Sequence, residues 1–115
     1  MLTPLELDIM KAVWNRSPIT VRSVQEAIRP SRHLAYTTVM TIMDRLYHKG
    51  FLKRKLDART HYYEPAIDYT AARDEAIETL IKGFFGSKED LQDFLNGEQV
   101  PTPRRQNGSL DETLL

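Results

Sequence analysis

Leu5, Ile9, Met10, Val13 and Trp14 recur at intervals of three and four residues, the spacing that lines one face of an α-helix. Thr3, Pro4 and Glu6 supply a hydroxyl cap, a first-turn proline and a carboxylate three residues after the cap, so a helix is predicted from Pro4 that ends by Asn15, before the Ser17-Pro18 dipeptide. Thr20 caps a short second helix with Val21, Val24, Ala27 and Ile28 as its buried stripe, ended by Arg29-Pro30. In Ser31 to Gly50, the residues Ala35, Val39, Ile42, Met43 and Leu46 mark the buried face of a third helix of about three to four turns, with Lys49-Gly50 as its stop. After Gly50 the period shortens. Phe51 to Leu56 and Thr60 to Glu64 read as two strands joined by an Asp57-Ala58-Arg59 turn and closed by Pro65.

Farther along, Asp68 or Thr70 caps a fourth helix with Ala72, Ala76, Ile77, Leu80, Ile81 and Phe84 on one side, up to Gly86, and Asp74, Glu75 and Glu78 on the other. Ser87, with Asp90 three residues on, is a weaker cap for a fifth helix whose apolar set is Leu91, Phe94 and Leu95. Asn96 to Asn107 is polar and rich in breakers and reads as flexible, and Ser109 to Leu115 holds enough for one further helical turn. A helix, a short turn and a Thr-rich helix form the order of a helix-turn-helix. With the hairpin added, the predicted fold is mainly α with a small β-hairpin wing: a winged helix-turn-helix over residues 1–66, C-terminal dimerisation helices over 67–96, and a flexible or partly helical tail over 97–115.

The third helix carries the candidate chemistry. Opposite its buried stripe stand Thr37, Thr38, Thr41, Arg45 and His48, short polar or cationic groups with few acids among them. Short hydroxyls let a helix lie deep in a major groove and offer a hydrogen bond and a methyl to base edges, while cations reach phosphate or guanine. Thr37, Thr38 and Thr41 are the candidate base readers; Tyr36, Arg45 and His48 would position the helix. Arg22, Arg29 and Arg32 would border the phosphates, and Lys53, Arg54, Lys55 and Arg59, read as a cationic hairpin tip, would hold the backbone beside them. Asp44 on the same face would pair with Arg45 or His48, or accept from a cytosine amine. A solvated face of an ordinary amphipathic helix is the plainer reading of the threonines, and a charged edge that resists aggregation is the plainer reading of the hairpin.

Charge sharpens this picture. The chain of 115 residues is formally neutral, yet Met1 to Pro65 holds eleven Lys/Arg against six Asp/Glu, and Ala66 to Leu115 holds five against ten. A basic half suits a polyanion, and the acidic half would be a separate partner-facing module. There is no cysteine, hence no disulfide framework or thiolate metal site. No apolar run approaches the ~20 residues of a membrane span, so a cytoplasmic protein without membrane insertion is expected. His33, His48 and His61 lie on separate elements without metal-ligand spacing, and no nucleophile elbow, Walker loop or dinucleotide fingerprint occurs, so neither a cofactor nor an enzyme is expected.

The segments LTPLELDIMKAVW, TVRSVQEAI, AYTTVMTIMDRLYHKGFLKRK, RTHYYEP and FFGS, in this order, resemble the penicillinase repressor family, the BlaI/MecI-type regulators of beta-lactamase and methicillin-resistance genes. The resemblance spans roughly Leu2 to Leu95. Its strongest part is Tyr36-Thr37-Thr38-Val39 followed by Arg45-Leu46 and Lys49-Gly50. It implies a homodimeric repressor on a dyad-symmetric double-stranded DNA operator, with dimer contacts from the C-terminal helices. It also implies inactivation by cleavage in the C-terminal region after a membrane-bound metallopeptidase senses beta-lactam. The family usually has a longer C-terminal helical region than this chain. Ile77, Leu80, Ile81, Phe84, Phe85, Leu91, Phe94 and Leu95 are the candidate dimer residues, since apolar stripes on such short helices need a cover. Packing back on the winged helix is the other way to cover them, and a winged helix used only for protein contact is the other function open at this point.

Overall fold

The computed structural model describes residues 2–98; the expectations for residues 99–115, a flexible stretch and a last helical turn, lie outside the described residues. Helix α1 (Pro4–Asn15) starts in a reciprocal box: Thr3 Oγ1 accepts from the Glu6 amide at 3.2 Å, and Glu6 Oε1 accepts from the Thr3 amide at 2.9 Å. Helix α2 (Val21–Ile28) is capped by Thr20, whose hydroxyl accepts from the Ser23 amide. Helix α3 (Tyr36–His48) has no side-chain cap, and Lys49 and then Gly50 at φ +88° end it. Strands β1 (Leu52–Asp57) and β2 (Thr60–Pro65) pair antiparallel from Leu52 opposite Pro65 to Asp57 opposite Thr60. Helix α4 (Tyr69–Leu80) is capped by Asp68, which accepts from the Ala71 amide at 2.7 Å, and runs into a wider π-turn, Ile81–Phe85, before helix α5 (Lys88–Leu95).

The chain divides into two compact units, Met1–Glu75 and Ala76–Leu115. In the first, Ile9, Met10 and Val13 of α1, Val21, Val24 and Ile28 of α2, and Val39, Ile42, Met43 and Leu46 of α3 meet Ile19, Leu52 and Tyr63 in one buried cluster. Burying each such side chain stabilises by about 1.5–3 kcal/mol relative to leaving it in water, which is what holds helices this short. Ile19 exchanges both backbone hydrogen bonds with Tyr63, at 3.0 and 2.8 Å, and so ties the α1–α2 loop to the wing. Trp14 is half-buried against the core; its indole N–H donates to the Ile67 carbonyl at 2.9 Å and its ring meets Tyr69 edge-on.

Two small residues depart from the expected stripes. Ala35 and Ala27 are exposed. Ala35 sits before the first turn of α3 in extended backbone, off the helical lattice, and on an eight-residue helix the line Val21, Val24, Ile28 already faces the neighbours and leaves position 27 at its edge.

In the second unit no described residue is buried. Gly86, at φ +85°, closes the π-turn, and Ser87 then caps α5 by accepting from the Asp90 amide at 3.1 Å. The wider turn changes which phenylalanine faces in: Phe85 meets Phe94 at 5.4 Å between ring centroids, whereas Phe84 is 72% exposed. The stripe expected through Phe84 is not kept: Ile77 and Phe84 are exposed while Ala72, Ala76, Leu80 and Ile81 are half-buried, and the π-turn, whose hydrogen bonds span five residues, rotates the positions after it around the axis.

Candidate nucleic-acid interface

Helix α3 buries Val39, Ile42, Met43 and Leu46 on α1, α2 and the wing, and that burial fixes what it presents outward. Thr37, Thr38, Thr41 and Arg45 flank one shallow depression on the exposed side. Thr41 Oγ1 donates to the Thr37 carbonyl at 2.9 Å, so the hydroxyl hydrogen is used within the helix while its oxygen can still accept and its methyl stays available. These three threonines and Arg45, all exposed, form one row. At the entry to α3, the Arg22 guanidinium lies 5.7 Å from the centre of the Tyr36 ring, which brings two of the expected positioning residues together across the α2–α3 corner. That corner is held by Gln25, whose side-chain amide donates to the Leu34 carbonyl at 3.0 Å.

Arg32 is engaged elsewhere. Its Nε donates to Asp8 of α1 at 2.7 Å, an ion pair that anchors the α2–α3 linker and leaves the Arg32 side chain part-exposed. The wing cations are not gathered at the tip as expected. Strand alternation sends their side chains to two faces, because successive residues point to opposite sides of the hairpin. Arg54, opposite Tyr63, reaches the Asp44 carboxylate of α3 with its guanidinium; Lys53 and Lys55 line a groove with Pro18, Asp57, Tyr62 and Glu64, which Arg54 also borders. Only Arg59 stands in the turn itself, where Ala58 and Arg59 both take positive φ, 48° and 67°, the geometry of a two-residue hairpin turn.

A second depression lies between α3 and the wing, lined by Met40, Thr41, Asp44, Arg54, His61 and Tyr63. Asp44 Oδ1 accepts from Arg54 Nη1 at 2.8 Å, and the same guanidinium lies over the Tyr47 ring at 4.0 Å from its centre. His48 Nδ1 is 2.8 Å from the Asp44 carbonyl and 3.6 Å from Oδ2. The Arg54 hydrogen bond, with the charges of His48, Arg54 and His61, holds the Asp44 carboxyl below its usual range. The expected partner of Asp44 is thus corrected in part: His48 is near, Arg45 is not the partner, and Arg54 makes the short contact.

Sequence reasoning missed three features here. Met40 is 42% exposed within the row and offers an apolar contact beside the threonines. The Asp44–Arg54–Tyr47 cluster joins residues ten apart on different elements, a distance at which no local periodicity gives a signal. Glu6 is the third: with its side chain only 5% exposed, it also accepts from Lys49 Nζ at 2.9 Å and so locks the start of α1 to the end of α3. Burial pushes the Glu6 carboxyl up, but the Thr3 amide, the Lys49 ammonium and the Thr3 hydroxyl outweigh it and leave it lowered. Among the described residues no cluster of His, Asp or Glu is arranged to hold a metal ion, and no helix is long and apolar enough to cross a membrane.

The fold of the helix-turn-helix with a hairpin beside it is shared with the solved DNA binding domain of the repressor BlaI, at a TM-score of 0.55 and 28% identity over 62% of this chain and 87% of that one. The chain is similar to the solution structure of the Bacillus licheniformis BlaI monomeric form in complex with the blaP half-operator, at a TM-score of 0.53 and 28% identity over 62% of this chain and 87% of that one. It is 40% identical over 90 residues to the transcriptional regulator BlaI of Mycobacterium tuberculosis, an alignment covering 77% of this chain and 62% of that regulator's length. It is 29% identical over 102 residues to the methicillin resistance regulatory protein MecI of Mammaliicoccus sciuri, covering 78% of this chain and 82% of that protein. The sequence profile of the penicillinase repressor family matches residues 2–105, and the chain belongs to that family.

Proposed function

We propose that this chain is a sequence-specific transcriptional repressor that binds double-stranded DNA as a homodimer on a dyad-symmetric operator. The observation that carries the reading is the exposed row Thr37, Thr38, Thr41 and Arg45 on a winged helix whose solved relative is in complex with a half-operator. On this reading the threonines read base edges, and Arg22, Tyr36, Arg45, His48, Lys55 and Arg59 orient the module on phosphates. Residues 1–66 are the DNA-binding part, residues 67–96 the dimerisation part, and 97–115 a tail. The reading assigns no catalysis to the chain, in keeping with a family of transcriptional regulators.

Dimerisation is supported by apolar exposure. Ile77, Phe84, Phe94 and Leu95 stand in solvent, with Leu80, Ile81, Phe85 and Leu91 half-covered beside them. A two-fold partner covers the same patch on both copies at once. On this proposal the regulated genes belong to the beta-lactam response, a reading supported by the names of the family and of the MecI relative. Release by a membrane-bound metallopeptidase sensor or a downstream protease, and a cytoplasmic location, belong to the same proposal. Selection of bound duplexes from a random DNA pool is the test. Recovery of a dyad with two half-sites, bound with steep salt dependence, is expected; recovery of no preferred sequence and a flat salt response would leave a protein-contact module instead.

A further inference from the structure

Asp44 is the one acid in α3, and it lies in the middle of the outward face, one turn beyond Met40 and Thr41 and next to Arg45. An acid there weakens attraction to any duplex, because affinity for arbitrary DNA follows the number of cations free to meet phosphate. Yet this carboxylate is not idle in solvent. It holds Arg54 Nη1 at 2.8 Å, and the guanidinium, with its side chain only 24% exposed, is sandwiched between that carboxylate and the Tyr47 ring. Arg54 is on β1, so this contact adds a polar tie between the wing and the recognition helix to the burial of Leu52 and Tyr63 in the shared core. His48 and His61 face the same carboxylate from α3 and β2.

The consequence differs for the two kinds of DNA. Arbitrary duplex is bound through phosphates in many registers, and there the pair subtracts one cation and adds nothing. A matched site must be met by α3 and the wing in one fixed geometry, and a wing already held in place loses less freedom on docking. We propose that Asp44 is a specificity-determining positioning residue: by pinning Arg54 against Tyr47 it sets the wing on the recognition helix and withholds that guanidinium from indiscriminate phosphate binding. The inference rests on the DNA-binding reading above and adds to it a residue that weakens binding in general while sharpening the choice of site.

The test uses the full chain, a duplex selected from a random pool, and a scrambled duplex of the same composition, each titrated over a salt series. Asp44→Asn should tighten scrambled DNA by roughly threefold to tenfold and steepen its log-log salt slope by about 0.9, the increment for one more phosphate contact. The selected duplex should gain less, so the preference falls. In an Arg54→Gln background the same Asp44→Asn change should leave the preference where it was, and Asp44→Glu should restore much of it by reaching the same guanidinium. Equal tightening on both duplexes, or a loss of preference that persists without Arg54, overturns the proposal. Hydrogen exchange of the β1 amides in the free protein reads the clamp without DNA: faster exchange in Asp44→Asn is expected, and unchanged exchange overturns the positioning role. A wild-type chain that selects no duplex overturns the repressor reading itself, an outcome distinct from either of these.

Discussion

The two units of this chain handle their apolar residues in opposite ways. In Met1–Glu75, Ile9, Met10, Val13, Val24, Val39, Met43 and Leu46 are sealed completely, and even the acid among them, Glu6, is paired. In Ala76–Leu115 no described residue is buried, Phe84 is 72% exposed and Leu95 70%. The first unit has closed its core within one copy of the chain. Among its described residues the second has apolar residues of the same kind and a cap at Ser87, but too few turns to cover its own phenylalanines. Good local signals make helices; closure needs enough neighbours. A unit that closes alone suits a module that must present a rigid face, and a unit left open suits one that is completed by a partner.

The largest effect that would break this contrast is expected at Phe84. Phe84→Asp places a carboxylate in the proposed seam, where an unpaired buried charge costs several kcal/mol, so the dimer should dissociate while the winged helix stays folded. Affinity for a two-half-site duplex should then fall by ~10²–10⁴, the avidity of tethered modules, with weak binding to a single half-site retained. Sedimentation beside DNA titration reads both. A variant still dimeric with unchanged affinity removes Phe84 from the interface, and a wild-type monomer refutes the dimer.

Leu46→Ala probes the other side. The position is fully buried where α3 meets the rest of the core, so the loss should be about 2–5 kcal/mol and should show as a lower urea midpoint. Phe94→Ala in a dilute sample should move that midpoint much less. Similar shifts at the two sites would mean that the second unit is as closed as the first.

Within the first unit the exposed row should separate specificity from affinity. Thr38→Ala and Thr41→Ala are each expected to lower preference for the selected duplex by ~1–3 kcal/mol, the discrimination that one well-made base-edge interaction supplies, and to change binding to scrambled DNA far less. Equal losses on both would remove the threonines from base reading.

Glu6 gives the contrast a pH signature. Its folded carboxyl is lowered, so its contribution is fully present above the unfolded carboxylate pKa and is lost as pH falls through the depressed folded value. Glu6→Gln keeps an acceptor for the Thr3 amide but loses the charge, and should cost about 1–3 kcal/mol near neutral pH. The difference from wild type should shrink on acidification below the ordinary carboxylate range. A difference that stays constant down to strongly acidic pH would mean that the Lys49 pair contributes nothing to stability.

The elements were legible because their signals are local. Thr3 with Glu6, Thr20, Asp68 and Ser87 each cap a helix from within three residues, and the stripes of α1 and α3 needed only their own spacing. The row Thr37, Thr38, Thr41 and Arg45 was legible for the same reason. What the sequence did not disclose lies between elements: Arg32 with Asp8, Lys49 with Glu6, Arg54 with Asp44. These pairs bridge 24, 43 and 10 positions, and many acids compete for each cation until packing chooses one. The π-turn was equally hidden, because a one-residue change of period is invisible in a stripe of five or six apolar positions.

The smallest expected effect sharpens the comparison inside the wing. Arg59 stands in the turn, Lys55 lies on the face away from α3, and Lys53, on that same face, is opposite Glu64 near the base of the hairpin. If the tip alone meets the duplex, Arg59→Ala should lower the log-log salt slope by about 0.9, the share of one phosphate contact, Lys55→Ala by less, and Lys53→Ala hardly at all. Alanine rather than glycine is the right replacement at Arg59, because the position has φ +67° and glycine would relieve the backbone while removing the charge. Three equal reductions in slope would lay the whole far face of the wing along the phosphates. No reduction at any of the three would turn the hairpin away from DNA and leave α3 to bind on its own.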